Sequence, residues 1–128
     1  AISDAHAEMM IKVAEAIAYN KNDRHILIVE NNGAIANMQD DAMVEVVCEL
    51  GINGPRPMRV GNIPQFNLGL LVNQVSCEKL IVDAYFENSY QKALEAFTLN
   101  RLINDAKKAR KVLDALIEAN KGMWPELR

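Results

Sequence analysis

The chain has 128 residues and a formal net charge of −3, and half of its residues are hydrophobic. This composition is typical of a globular domain, and the acidic balance disfavours nucleic acid or an anionic membrane as a partner, since no basic field is available to neutralise phosphates. Without a leader peptide or an apolar run of about 18 residues, we expect a cytoplasmic protein that does not cross a membrane.

The first half of the chain predicts a helix followed by two strands. Ser3 or Asp4 can cap a helix that runs to about residue 19 and places one apolar side in a core. The unbroken apolar run 26–29 predicts a central strand that is covered on both faces. Alternation over 43–50 predicts a half-exposed strand whose inward side chains are Val44, Val46, Cys48 and Leu50.

A hairpin is predicted next. Asn53-Gly54 follows the alternating strand, and this dipeptide favours tight turns because both residues tolerate positive φ. Residues 58–60 then predict a short return strand at a sheet edge, since nearby prolines remove backbone donors. In that register Arg59 would face Glu45 or Glu49.

The second half of the chain is predicted to be helical. Pro64 suits a first helical turn, and apolar residues recur at helical spacing to about residue 85, with a possible break at 76–77 that leaves one or two helices open. Ser89 can cap a short third helix. The clearest pattern predicts a last helix over 102–120.

The residues alone show no self-contained active site. Cys48 and Cys77 lie far apart and are expected to be buried and reduced. His6 and His25 lack partners at the spacing of a metal site. The pair Asp40-Asp41 could act as acid and base, but adjacent carboxylates more often bond loop backbone. Neither a GxSxG nor a GxGxxG motif is present.

The long turn between the two strands carries a family resemblance. The relevant residues are Asn31-Asn32-Gly33-Ala34-Ile35, Asn37, Asp40 to Val46 and Cys48, followed by Gly54, Arg56-Pro57, Val60-Gly61 and Ile63-Pro64. They resemble the C-terminal domain of glycoside hydrolase family 4, particularly its 6-phospho-alpha-glucosidases. The chain departs from that pattern at Met38-Gln39, where the family has Leu-Pro, and at Val47, where it has Pro.

This resemblance implies an α+β fold with a small, largely antiparallel sheet packed against several helices, like the C-terminal domain of lactate and malate dehydrogenases. It implies that residues 1–128 form a single domain, the C-terminal fragment of a longer enzyme whose N-terminal Rossmann domain, absent here, binds NAD. A divalent metal, usually Mn²⁺, is also implied. The family oxidises the sugar at C3, eliminates the aglycone, adds water and returns the hydride.

The family's dinucleotide turn, metal ligands and catalytic base lie upstream of the matched stretch. The resemblance therefore implies no catalytic, cofactor-binding or metal-binding residue in this chain, and a fragment that is inactive and binds no cofactor by itself. Expected partners are a phosphorylated disaccharide, the enzyme's own N-terminal domain and further copies of the chain. The loop residues Asn31 and Asn32 are the candidates for reaching the substrate cleft.

Two alternatives stay open from the sequence. The parent enzyme could be an alpha-glucosidase or alpha-galactosidase of the same family that acts on unphosphorylated sugars, because the residues that would bind phosphate are not evident. The chain could also be a non-catalytic oligomerisation module, since the amphipathic helices predicted over 4–19 and 102–120 would serve to pair copies.

Overall fold

The computed structural model describes residues 4–103 and 105–128, and it confirms the α+β class. The chain divides after Pro64 into two compact units, which we call the N-terminal unit and the C-terminal unit. In the described residues, the N-terminal unit holds one helix and the sheet, and the C-terminal unit holds three helices. In chain order the elements are α1 (Ala5–Ala18), β1 (Asp23–Glu30), β2 (Met43–Gly51), β3 (Gly54–Pro57), α2 (Gln65–Glu87), α3 (Tyr90–Leu99) and α4 (Ala106–Ala119).

Helix α1 begins where the sequence predicts, but it buries much less than its pattern indicates. The Asp4 carboxylate accepts hydrogen bonds from the backbone N–H of His6 and Ala7, at 3.0 and 3.4 Å, and so caps the helix. Ser3, the other predicted cap, lies outside the described residues. Ala16 is the helix's buried residue, whereas Met9, Met10 and Ile17 are exposed. Periodicity shows which side chains share a face, but not whether a neighbour covers that face.

The sheet has the order β1-β2-β3, and both pairings are antiparallel. Strand β2 is central, and its inward side chains are buried as predicted, at Val44, Val46, Cys48 and Leu50. The prediction for β1 was wrong, because β1 is an edge strand whose Ile26 and Ile28 are 58% and 68% exposed. An unbroken apolar run looks the same in a covered central strand and in an edge strand with one open face.

The hairpin is confirmed, with Ile52 and Asn53 as the turn and Gly54 at φ +87°. The return strand was predicted too late in the chain, since β3 includes Pro55 and Pro57. These prolines are tolerated because Met58 N–H bonds Val47 C=O at 2.8 Å, so that by alternation the proline nitrogens face away from β2.

The shifted return strand also changes the predicted ion pair. Arg56, rather than Arg59, stands opposite Glu49 in the register, and the two side chains form a salt bridge. The hydrogen bond and charge of Arg56 hold the pKa of the Glu49 carboxyl below its usual range.

The C-terminal unit begins with one uninterrupted helix, α2, which settles the question left open at residues 76–77. The Ser76 hydroxyl bonds the Val72 carbonyl at 2.8 Å within the helix, so this serine does not break it. Ser89 caps α3 as predicted by accepting from Lys92 N–H at 3.3 Å. Among the described residues, no helix is long and apolar enough to span a bilayer.

Helix α4 is shorter than its pattern predicts. It begins at Ala106 because the Asp105 carboxylate caps it, accepting from Lys108 N–H at 2.8 Å, and Leu102 is left outside the helix and 95% exposed. Leu113, fully buried on α4, forms the core of the C-terminal unit together with Ala84 and Ala93. The predicted inward face of the last helix is therefore confirmed at its centre and wrong at its start.

Candidate functional site

The loop between β1 and β2, residues 31–42, is built around the side chain of Asn31. This side chain is fully buried. Its amide nitrogen donates to the carbonyls of Ile35, Met38 and Gln39 at 3.0, 3.2 and 3.0 Å, and its oxygen accepts from Ile35 N–H at 2.7 Å. The single side-chain amide of Asn31 thus forms hydrogen bonds with backbone groups on both sides of the loop, as a peptide unit would. The hydrogen-bonding groups of Asn31 are committed to shaping the loop.

Backbone hydrogen bonds close the ends of the same loop. Asn31 N–H bonds Ala42 C=O at 2.8 Å, and Asn32 N–H bonds Asp40 C=O at 2.9 Å. The chain reverses between them through Asn32 and Gly33, which have φ values of +41° and +79°. Asparagine and glycine adopt this left-handed conformation most readily, so the Asn-Asn-Gly sequence fits the turn.

A second asparagine fixes the loop to the segment that follows β3. The Asn37 side chain donates to Ile63 C=O and accepts from Ile63 N–H, both at 3.0 Å. Nearby, Ala36 N–H bonds Gly61 C=O at 2.9 Å and Val60 N–H bonds Ala34 C=O at 2.7 Å. We had not predicted this role for Asn37, because its partner lies 26 residues later in the sequence. The loop is therefore held at its ends, at its centre and along its flank.

The two predicted cleft residues take different places in this loop. Asn31 lies inside, whereas Asn32 lies at the surface and donates from its side chain to the Glu30 carboxylate at 3.1 Å. Asp40 and Asp41 are also exposed. Contact of Asn31 or Asn32 with a substrate stays a prediction, and the exposed position favours Asn32.

The donor groups of the residues that the structure describes do not fit a metal. Cys48 and Cys77 are free and buried as predicted, and burial raises the pKa of both thiols, which keeps them protonated and unreactive. His6 is exposed, while His25 stands opposite Cys48 in the sheet and its Nε2 is buried without a partner in the described part of the chain. His25 and Cys48 together supply two donors, which are too few for a metal site. The described residues contain no group of three or more histidine, cysteine or acidic residues suited to a metal.

An apolar pocket of about 320 Å³ lies in the C-terminal unit. Its walls include Tyr85, Phe97, Leu113 and Trp124. These side chains offer bulk and little hydrogen-bonding chemistry, whereas a catalytic pocket needs convergent polar groups. We therefore regard the pocket as a gap in the helical packing and the loop 31–42 as the candidate functional site.

Several known proteins are similar to this chain in sequence. Residues 2–103 match the family described as "Family 4 glycosyl hydrolase C-terminal domain". The maltose-6'-phosphate glucosidase of Bacillus subtilis (strain 168) is 54% identical over 124 residues, which are 97% of this chain and 28% of that protein. A probable 6-phospho-beta-glucosidase of the same strain is 34% identical over 121 residues, covering 94% of this chain and 27% of that protein. The chain thus spans a little over a quarter of these relatives' length.

Two solved structures are closely similar. A crystal structure of 6-phospho-alpha-glucosidase from gut microorganisms in complex with NAD and Mn²⁺ is 84% identical, with a TM-score of 0.97 over 100% of this chain and 29% of that one. Another 6-phospho-alpha-glucosidase from gut microorganisms, in complex with NAD and glucose-6-phosphate, is 49% identical, with a TM-score of 0.93 over 96% of this chain and 28% of that one. The chain belongs to glycosyl hydrolase family 4, and its residues 2–103 match the C-terminal domain of that family.

Proposed function

We propose that this chain is the C-terminal domain of a 6-phospho-alpha-glucosidase that requires NAD and a divalent metal. The observation that supports the alpha specificity is the wide gap in identity between the alpha-type relative and the beta-type one. The complexes of similar proteins with NAD, Mn²⁺ and glucose-6-phosphate support the choice of cofactor, metal and phosphorylated sugar.

The contribution of this chain follows from what its own residues can do. They offer no donor set for a metal in the described part of the chain, and the sequence has no glycine-rich dinucleotide turn. We therefore propose that the cofactor and the metal bind to the rest of the enzyme, and that the chain alone is inactive. Its role is to present the rigid loop 31–42, with Asn32 on the outside, as one wall of the cleft.

Substrate turnover by the full-length enzyme tests this proposal. We expect kcat/KM for maltose 6'-phosphate to exceed that for maltose by about 10³-fold or more, because a site built to bind a charged group strongly rejects the analogue that lacks it. Cellobiose 6-phosphate serves as the beta-linked control and should be a poor substrate. Similar values for maltose and its phosphate would instead support the alternative of a glucosidase for free sugars. In the same assay, an unchanged kcat/KM for Asn32→Gly would remove Asn32 from the cleft.

A further inference from the structure

Strand β1 has an open edge, which pairs with no other strand in residues 4–103 and 105–128. It hydrogen-bonds β2 on one side and is the outer strand of the sheet. Asn31 N–H bonds Ala42 C=O, the next pair in the same register, so the odd-numbered residues of β1 direct their backbone groups towards β2. By the alternation of an antiparallel ladder, the even-numbered residues direct theirs outward. These residues are Arg24, Ile26, Ile28 and Glu30.

This edge lacks two of the features that usually keep sheet edges apart, a short length and proline. The strand is eight residues long and contains no proline, and Ile26 and Ile28 are more than half exposed. The opposite edge, β3, is protected by Pro55 and Pro57, whose nitrogens face away from β2. The sheet can therefore be extended at β1 and is blocked at β3.

We propose that a second copy of this chain pairs with β1 in antiparallel orientation, about a two-fold axis at Leu27. Ile26 of each copy then lies opposite Ile28 of the other, and Arg24 lies opposite Glu30. Each of these residues offers its outward N–H and C=O, so the two edges exchange about eight backbone hydrogen bonds. The two sheets become one continuous sheet of six strands.

The charges along β1 select this register over its neighbours. A shift of the axis to Ile26 places Arg24 opposite Ile28 of the other copy, and a shift to Ile28 places Glu30 opposite Ile26. Both shifts lose the two charge pairs and keep one isoleucine pair in place of two. Registers centred between residues would set outward-facing backbone groups against inward-facing ones. The register at Leu27 is therefore the one in which hydrogen bonding, charge and apolar contact agree.

The symmetry of this contact limits the assembly to two chains. A two-fold interface uses the same surface on both copies, so pairing consumes both open edges and stops at two chains. The protected β3 edges then form the two ends of the joined sheet. This inference does not depend on the proposed activity, and it names a different surface from the helix-mediated pairing considered for the sequence.

Light scattering and amide hydrogen exchange of the 128-residue chain test the pairing. We expect a dimer that dissociates on dilution. The amide protons of Ile26 and Ile28 should be protected in the dimer and exchange rapidly in the monomer, whereas those of Leu27 and Val29 should be protected in both. A chain that stays monomeric at about 0.5 mM, well above a micromolar Kd, would overturn the proposal and leave the edge to a different occupant.

Charge reversal tests the register. We expect Arg24→Glu to raise the dimer Kd by about tenfold or more, since the introduced carboxylate would face Glu30 of the other copy. The double variant Arg24→Glu/Glu30→Arg should return Kd to within about threefold of the original. Rescue separates the interface from the fold, because the carboxylate introduced at position 24 lies opposite Glu49 within the chain in both variants. Arg59→Glu, an equal charge change outside β1, is the control. Failure of the rescue, or an equal effect of Arg59→Glu, would refute this register.

Discussion

Replacing Asn31 with alanine is expected to cost the N-terminal unit about 3 kcal/mol of stability. The substitution removes the hydrogen bonds that Asn31 makes to Ile35 N–H and to three carbonyls, in a loop interior where this side chain has no exposure. The Ile35 and Gln39 carbonyls keep hydrogen bonds from Met38 N–H and Ala42 N–H, both at 3.2 Å. A buried polar group that loses its partner costs about 1–3 kcal/mol, and several are affected together. The most direct readout is the Ile35 amide, which should exchange about 10²-fold faster.

Asn32→Gly is the matched control for this experiment. It removes the neighbouring asparagine side chain, which is exposed, and glycine readily keeps the positive φ of that position. We expect it to change stability by less than about 0.5 kcal/mol. If the Ile35 amide exchanged at nearly the same rate in Asn31→Ala as in the unsubstituted chain, the Asn31 side chain would not be what holds the loop.

Replacing Leu113 with alanine is expected to cost the C-terminal unit about 3 kcal/mol. Leu113 is fully buried, and Ala84 and Ala93 beside it are too small to move into the space it leaves. A leucine truncated under such conditions loses both its transfer free energy and the contacts around the new cavity. Trp124, the chain's single tryptophan, lines the apolar pocket of the C-terminal unit together with Leu113. Urea unfolding followed by tryptophan fluorescence therefore reports on this unit. The midpoint should fall by about 2 M.

Leu116→Ala provides the comparison within the same helix. The chemistry of the substitution is identical, but Leu116 is 36% exposed and is expected to lose less than about 1 kcal/mol. Equal losses for Leu113→Ala and Leu116→Ala would show that helix α4 is stabilised by its propensity rather than by packing of its buried face.

Apolar periodicity in the sequence predicted side-chain burial correctly where another part of the chain covers the apolar face. Strand β2 shows this, since its alternation predicted each buried side chain from Val44 to Leu50. The same method failed for α1 and β1, because apolar spacing cannot show whether anything covers a face. It also placed the return strand at 58–60, after the prolines, whereas β3 includes Pro55 and Pro57, whose nitrogens face outward at the sheet edge.

The candidate loop was located from the sequence, but its internal arrangement was not. The Asn-Asn-Gly turn predicted a definite loop between strands, and the family resemblance pointed to the same residues. Which asparagine lies inside depends on contacts with carbonyls four to eight residues away. The link from Asn37 to Ile63 depends on where β3 ends, and no local pattern shows that.

The most direct test of the proposal is isothermal titration calorimetry on the purified 128-residue chain. NAD is titrated into the chain, and so is Mn²⁺ together with glucose 6-phosphate, to test whether the cofactor and metal sites lie in the rest of the enzyme. We expect no binding heat, because the described residues provide no metal-ligand cluster and the sequence has no dinucleotide-binding turn. Clear binding of either would contradict the proposal that both sites lie in the rest of the enzyme. It would make ligand candidates of Asn31, Asn32, Asp40, Asp41 and the two histidines.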